Sequence, residues 1–217
     1  MDLYDGLMTL KAIRRFTDEP VTEEEIQKCL RAAIQAPNGG NIQPWQFLVI
    51  TDPEVKRGIG EIYRRAYDRY EPSVAAATPP ARTEEAARNQ VKVRASSRFL
   101  ADHIGEAPAM VAFLMPNISM TLHDNQGDLD VGTPFASTYP GVQNFMLAAR
   151  SLGIGTTLTT VYRIYQQDVR DLLGIPERYE IIALVPMGRP RGNFGVAPRR
   201  PVESVTHWNH FGQKRDA

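Results

Sequence analysis

The sequence predicts an α/β fold, and three observations carry the prediction. Segments with helical periodicity alternate with short apolar runs. At 217 residues, 42% of them hydrophobic, the chain can bury one substantial core and is short for two. Two runs, 109–115 (AMVAFLM) and 180–187 (EIIALVPM), are apolar almost throughout, as in strands covered on both faces. One domain spanning 1–217 is expected.

The first clear helix is announced by Thr22 and Glu25, a capping box after Val21. Ile26, Cys29, Leu30, Ala33 and Ile34 then recur at spacings of three and four until Pro37 stops them. Residues 45–50 (WQFLVI) read as a buried strand, and Pro53 opens a second helix rich in Arg, Tyr and Glu. Between about 71 and 107 the composition turns to Ala, Pro, Arg and Glu. Pro79 and Pro80 break this stretch before a helix through Val91, Arg94 and Arg98, so it reads as a mobile, lid-like excursion. After the 109–115 strand, Val142, Phe145, Met146, Ala149 and Leu152 mark a long helix ending at Gly153. Val169, Leu172 and Leu173 mark a shorter one ending at Gly174, before the 180–187 strand. The segment of about 190–217 is aperiodic yet holds Trp208 and Phe211, costly in water, so it is expected to pack on something such as a second subunit.

Lys plus Arg number 25 and Asp plus Glu number 25, so no global field favours nucleic acid or an anionic membrane. The N-terminus lacks a signal-peptide pattern, and no run approaches the roughly 20 apolar residues of a membrane span. A cytoplasmic protein is the expectation. Cys29, the only cysteine, sits in a helical apolar stripe and reads as a buried hydrophobe.

Two clusters carry candidate chemistry. Lys11, Arg14 and Arg15 place three cations within five residues at a helix-to-loop junction, a fork suited to a phosphate although also compatible with a solvated face. Residues 36–45 (APNGGNIQPW) combine Gly39 and Gly40, which let backbone approach a ligand, with the amides of Asn38, Asn41 and Gln43. Such amides match the edge of a planar heterocycle.

RRFTDEPV at 14–21 followed by APNGGNIQPWQF at 36–47 resembles the N-terminal half of the FMN-dependent nitroreductases. The resemblance continues through Gln143-Asn144, the stretch 147–160 (LAARSLGIGTTLTT), GRP at 188–190 and RRPVESV at 199–205, and lapses over about 71–107. It implies a central, mostly antiparallel sheet flanked by helices, and a domain-swapped homodimer in which the C-terminal extension wraps the partner and both chains contact each FMN. By motif, Lys11, Ala12, Arg14, Arg15 and Arg199 would meet the phosphate and ribityl chain. Asn38, Gly39, Asn41 and Gln43 would meet the ribityl chain and pyrimidine edge. Leu158, Thr159 and Thr160 would lie against the isoalloxazine, with Thr160 donating to N5. Leu10, Ala12 and Asn38 stand where many members carry Arg, Ser and Ser, and the threonine-rich turn resembles the deiodinase branch.

The resemblance further implies ping-pong transfer of hydride from NAD(P)H, through flavin N5, to a nitroaromatic, quinone or related acceptor. Reductive dehalogenation, flavin fragmentation and non-catalytic flavin sequestration are its alternatives. Other chemistry is poorly supported: His207 and His210 lack a carboxylate or cysteine to complete a metal site. Ser137, His123 and Asp124 lack a nucleophile elbow, and the glycine clusters at 153–155 and 192–195 are not dinucleotide fingerprints.

Overall fold

The structure, a computed structural model, describes residues 1–118, 121–132 and 134–215. In chain order its elements are α1 (Leu3–Thr9), α2 (Glu23–Ala33), β1 (Gln46–Ile50), α3 (Pro53–Ala77) and α4 (Glu84–His103). There follow β2 (Ala109–Pro116), β3 (Thr121–Asp124), β4 (Gly127–Asp130), α5 (Phe135–Ser151), β5 (Gly155–Thr156), α6 (Gln166–Leu173) and β6 (Tyr179–Gly188).

The main sheet has the order β1-β2-β6-β5 with every neighbouring pair antiparallel. β2 and β6 are its centre, and their apolar runs are buried on both faces. One face sets Met110, Ala112, Leu114, Ile181 and Leu184 against Ile59, Tyr63 and Tyr67 of α3 and Leu100 of α4. The other sets Val111, Phe113, Ile182 and Val185 against Ile26 and Cys29 of α2 and Val142 and Phe145 of α5. Phe113 meets Phe47 and Phe145 edge to face, each at a centroid distance of 5.3 Å. Alternation is reset at a bulge between Phe113 and Leu114, opposite Ile182, whose carbonyl accepts the Tyr139 hydroxyl at 3.1 Å. α2 and α5 approach closely at Gly141, where a Cβ would lie 3.1 Å from the Ala33 carbonyl oxygen.

The expected helices and central strands are present, with three differences, the first being that the strand expected to be buried at 45–50 is the partly exposed edge strand β1. The 71–107 excursion is largely regular helix: α3 runs through Pro72 to Ala77, and α4 begins at Glu84 after the Pro79-Pro80 break. Tertiary packing outweighs the local effect of Pro72. Tyr63 and Tyr67 are anchored in the core below it, and Arg98 of α4 binds Asp68 and Glu71 of α3. The β3–β4 hairpin and the short β5 have no counterpart among the expected elements because neither carries an apolar run. The last two positions of the expected C-terminal extension lie outside the described residues. No helix among the described residues is long and apolar enough to cross a membrane.

The capping box at α2 is formed, and Glu25 also ties this helix to the C-terminal side of β6 through Arg189, 2.6 Å away. Burial works to raise the Glu25 pKa, but the Thr22 backbone bond and Arg189 outweigh it and hold it below the ordinary 4.5. The carboxylate's contribution is therefore fully present above about pH 4.5 and lost as pH falls through the lower folded-state value. Glu25→Gln is expected to cost about 1 kcal/mol at neutral pH, with the gap to the unsubstituted protein closing under acid. Urea unfolding measured across pH checks this; a gap independent of pH would refute the assignment.

Candidate functional site

A cavity of about 440 Å³ opens between α3, α4 and the segment 157–161. Tyr63, Tyr67 and Tyr70, at helical spacings of four and three, give it an aromatic wall on α3. α4 contributes Asn89, Gln90, Arg94 and Ser97, and the floor is Thr157, Leu158, Thr159 and Thr160, with Arg14 beside it.

The floor exists because the chain after β5 keeps pairing along the free edge of β6. Thr157 N donates to Pro186 O at 3.3 Å, and Thr159 exchanges backbone bonds with Leu184 at 2.9 and 3.1 Å. Pairing stops at Thr160, where a 3-10 turn (Val161–Tyr165) begins. Thr160 is exposed on the cavity wall, and its N–H has no partner among the described residues. Thr159 is turned inward: its hydroxyl and the Tyr63 hydroxyl are 2.7 Å apart and buried. Burial pushes the Tyr63 phenol up to about 12, against the opposing pull of that bond and of Arg14, so Tyr63 is a neutral positioning group.

The Lys11 to Arg15 segment is fastened beside this floor by Ile13 N, which donates to Thr156 O at 2.9 Å. It is held on its other side by Thr17 N to Arg189 O at 2.8 Å and Arg191 N to Arg15 O at 3.0 Å. Lys11, Arg14, Arg15 and Arg199 form no ion pair among the described residues, whereas nearby Arg189 and Arg191 are paired with Glu19, Glu25 and Asp18. The Arg15 guanidinium lies over the Phe99 ring of α4, 3.5 Å from its centroid. Ala12 is exposed and offers a ligand only its backbone and a methyl group. Arg199 sits on the exposed C-terminal stretch and donates to Pro198 O at 3.0 Å.

The amide loop stands apart from the cavity, against the start of α5, where Gly39 N donates to Ser137 Oγ at 3.1 Å. Asn38 is spent on the loop itself: its Oδ1 accepts Gln43 N at 2.9 Å and its Nδ2 donates to Ala36 O at 3.3 Å. Gly40, Asn41 and Gln43 all have positive φ (57°, 53° and 47°), a strained arrangement for Gln43 in particular. The Asn41 and Gln43 side chains face solvent without a hydrogen-bond partner among the described residues.

The expected residues thus fall into separate groups: Arg14, Leu158, Thr159 and Thr160 at the cavity, Lys11, Ala12 and Arg15 on the adjoining segment, the amide loop elsewhere, and Arg199 on the tail. Sequence reasoning missed the three tyrosines, Asn89 and Gln90, although the helical spacing of the tyrosines is a usable signal, whereas Arg94 belongs to the stretch expected as a lid. Ser137, His123 and Asp124 form no catalytic constellation. Ser137 caps the amide loop, while His123 pairs with Asp128 on the exposed hairpin.

The family model described as Nitroreductase family matches residues 9–189. Among curated relatives, a putative NADH dehydrogenase/NAD(P)H nitroreductase of Archaeoglobus fulgidus is 28% identical over 187 residues, covering 85% of this chain and 83% of the relative. An NADPH-flavin oxidoreductase of Vibrio harveyi is 25% identical, covering 95% of this chain and 73% of the relative. Among solved structures, an oxidized iodotyrosine deiodinase bound to FMN and 3-iodo-L-tyrosine superposes with a TM-score of 0.74 at 22% identity, over 97% of this chain and all of that one (100%). At that identity it establishes likeness of fold.

Removing the Tyr63 hydroxyl takes away the buried partner of Thr159. Tyr63→Phe is expected to lower stability by about 1 kcal/mol, read as a fall in urea midpoint with an unchanged slope. An unchanged midpoint would mean that the bond contributes nothing net.

Proposed function

We propose that this chain, which belongs to the nitroreductase family, is an FMN-dependent oxidoreductase that uses NAD(P)H to reduce nitroaromatic, quinone or related small acceptors. The observation that carries this reading is the coincidence of three features beside one floor: unpaired cations, an unpartnered N–H at Thr160 and an aromatic-walled cavity.

The residues fit the cofactor. Lys11, Arg14 and Arg15 are cations without carboxylate partners among the described residues, which suits a bound phosphate, and Arg199 on the exposed C-terminal stretch is a fourth such cation. Thr160 would supply a donor toward the flavin, and Leu158 would lie against its ring. When bound, FMN would supply the redox chemistry, the transfer of hydride from NAD(P)H to the acceptor. The protein's part is to fix the ring, keep one face open and limit water with the α3 tyrosines. No acid or nucleophile is required of it.

The working unit of this reading is a homodimer. Phe211 is 93% exposed and Leu3 and Tyr4 are 70% and 68% exposed, apolar surface that a second copy would cover. The amide loop, remote from its own cavity, then completes the partner's cofactor site with Asn41 and Gln43. Residues 71–107 act as the lid, for α3 and α4 wall the cavity.

The purified protein is expected to carry flavin absorption bands that bleach anaerobically with NADPH or NADH and return when a nitroarene or quinone is added. Bands that never bleach would favour flavin sequestration, and faster turnover of an iodinated phenol would favour dehalogenation. Absence of flavin after adding FMN would remove the reading altogether. Replacing residues 78–98 by a short Gly-Ser linker is expected to change acceptor preference while FMN stays bound; loss of flavin would sink the lid assignment.

A further inference from the structure

We propose that Arg94 of α4 selects for the anionic group of an aromatic acceptor, an aryl carboxylate or a compound of like charge; this deepens, and rests on, the reductase reading above. Among the described residues, three charged side chains line the cavity: Arg14, Glu71 and Arg94. Arg14 belongs to the cofactor segment. Glu71 is engaged by Arg98, which donates to it from Nε at 3.2 Å and also holds Asp68. Glu71 therefore leaves Arg94 unneutralised. Arg94 forms no ion pair or hydrogen bond among the described residues.

Its surroundings say what kind of molecule would use that charge. Gln90 precedes Arg94 by one helical turn and Ser97 lies three residues beyond it, so α4 presents a row of donors to the cavity. Tyr70 and Val74, the more exposed side chains of the α3 wall, supply a surface suited to an aromatic ring. A flat acceptor packed on that surface can reach the Arg94 guanidinium with a carboxylate, while an uncharged analogue leaves the cation to solvent. Because Arg94 is exposed, water competes for the anion. The effect is then a selectivity of about tenfold and not absolute discrimination.

The same charge could instead meet the 2′-phosphate of NADPH, and the two sources separate experimentally. The FMN-loaded protein, Arg94→Gln and Arg94→Lys are compared with 4-nitrobenzoate and its methyl ester as acceptors, with NADH and, separately, NADPH as reductant. The expected result is that Arg94→Gln lowers the ratio of kcat/KM for 4-nitrobenzoate over the ester about tenfold and that Arg94→Lys largely keeps it. In parallel, binding of 4-nitrobenzoate to the oxidised flavoprotein, followed by flavin fluorescence, should weaken by a similar factor in Arg94→Gln. This arm needs no turnover, so a protein that NAD(P)H cannot reduce would sink the reductase reading while still testing Arg94. A ratio and a binding constant both unchanged within twofold would overturn the proposal. So would a loss confined to the preference for NADPH over NADH, which would assign Arg94 to the reductant's phosphate.

Discussion

A strand that is apolar on both faces can be kept from water only by cover on both sides, and β2 and β6 impose that demand on the whole chain. α2 and α5 meet it on one face, α3 and α4 on the other. The edges obey the same demand. β6 has one neighbour in β2, so its remaining backbone groups must pair with β5 and the segment beyond it, and that pairing carries the chain to Thr159 before it ends. Thr160 is where it is because Leu184 is buried and bonded to its predecessor. The candidate site is thus a by-product of sheet closure.

The energetics of the site divide between a buried half and a wet half. On the buried side, Tyr63 and Thr159 satisfy each other over 2.7 Å, and burial keeps the phenol neutral. On the wet side, cations stand without carboxylates, which in water costs little and leaves them available to an anion. Arg15 is the intermediate case. With its guanidinium over Phe99, it links the segment beside the floor to the helix that forms the cavity's wall. A ligand that drew Arg15 away would therefore be felt by α4.

Much of the fold is legible in the sequence because it is written in local patterns. The capping box at Thr22 and Glu25, the left-handed Gly174 and the unbroken apolar runs of β2 and β6 each act within a few residues. Pro72 belongs by composition to an irregular stretch and yet lies inside a helix, since distant contacts to Tyr67 and Arg98 outweigh its local effect. The bulge opposite Ile182 leaves no mark in the sequence, for it depends on register between strands far apart in the chain.

The sequence by itself determined the principal helices and the two central strands with their two-faced burial, and it singled out candidate site residues, because periodicity, capping and motif resemblance are properties of neighbours along the chain. It could not determine which of those residues share a space. Arg14 and Thr160, far apart in the chain, meet at one cavity, while Asn41 and Gln43, much closer to Arg14 in sequence, face elsewhere. Nor could it show that Glu71 is engaged by Arg98 and Arg94 is not paired. Those facts depend on helix packing and on the pairing along β6, long-range arrangements fixed only when the sheet is covered and its edge satisfied.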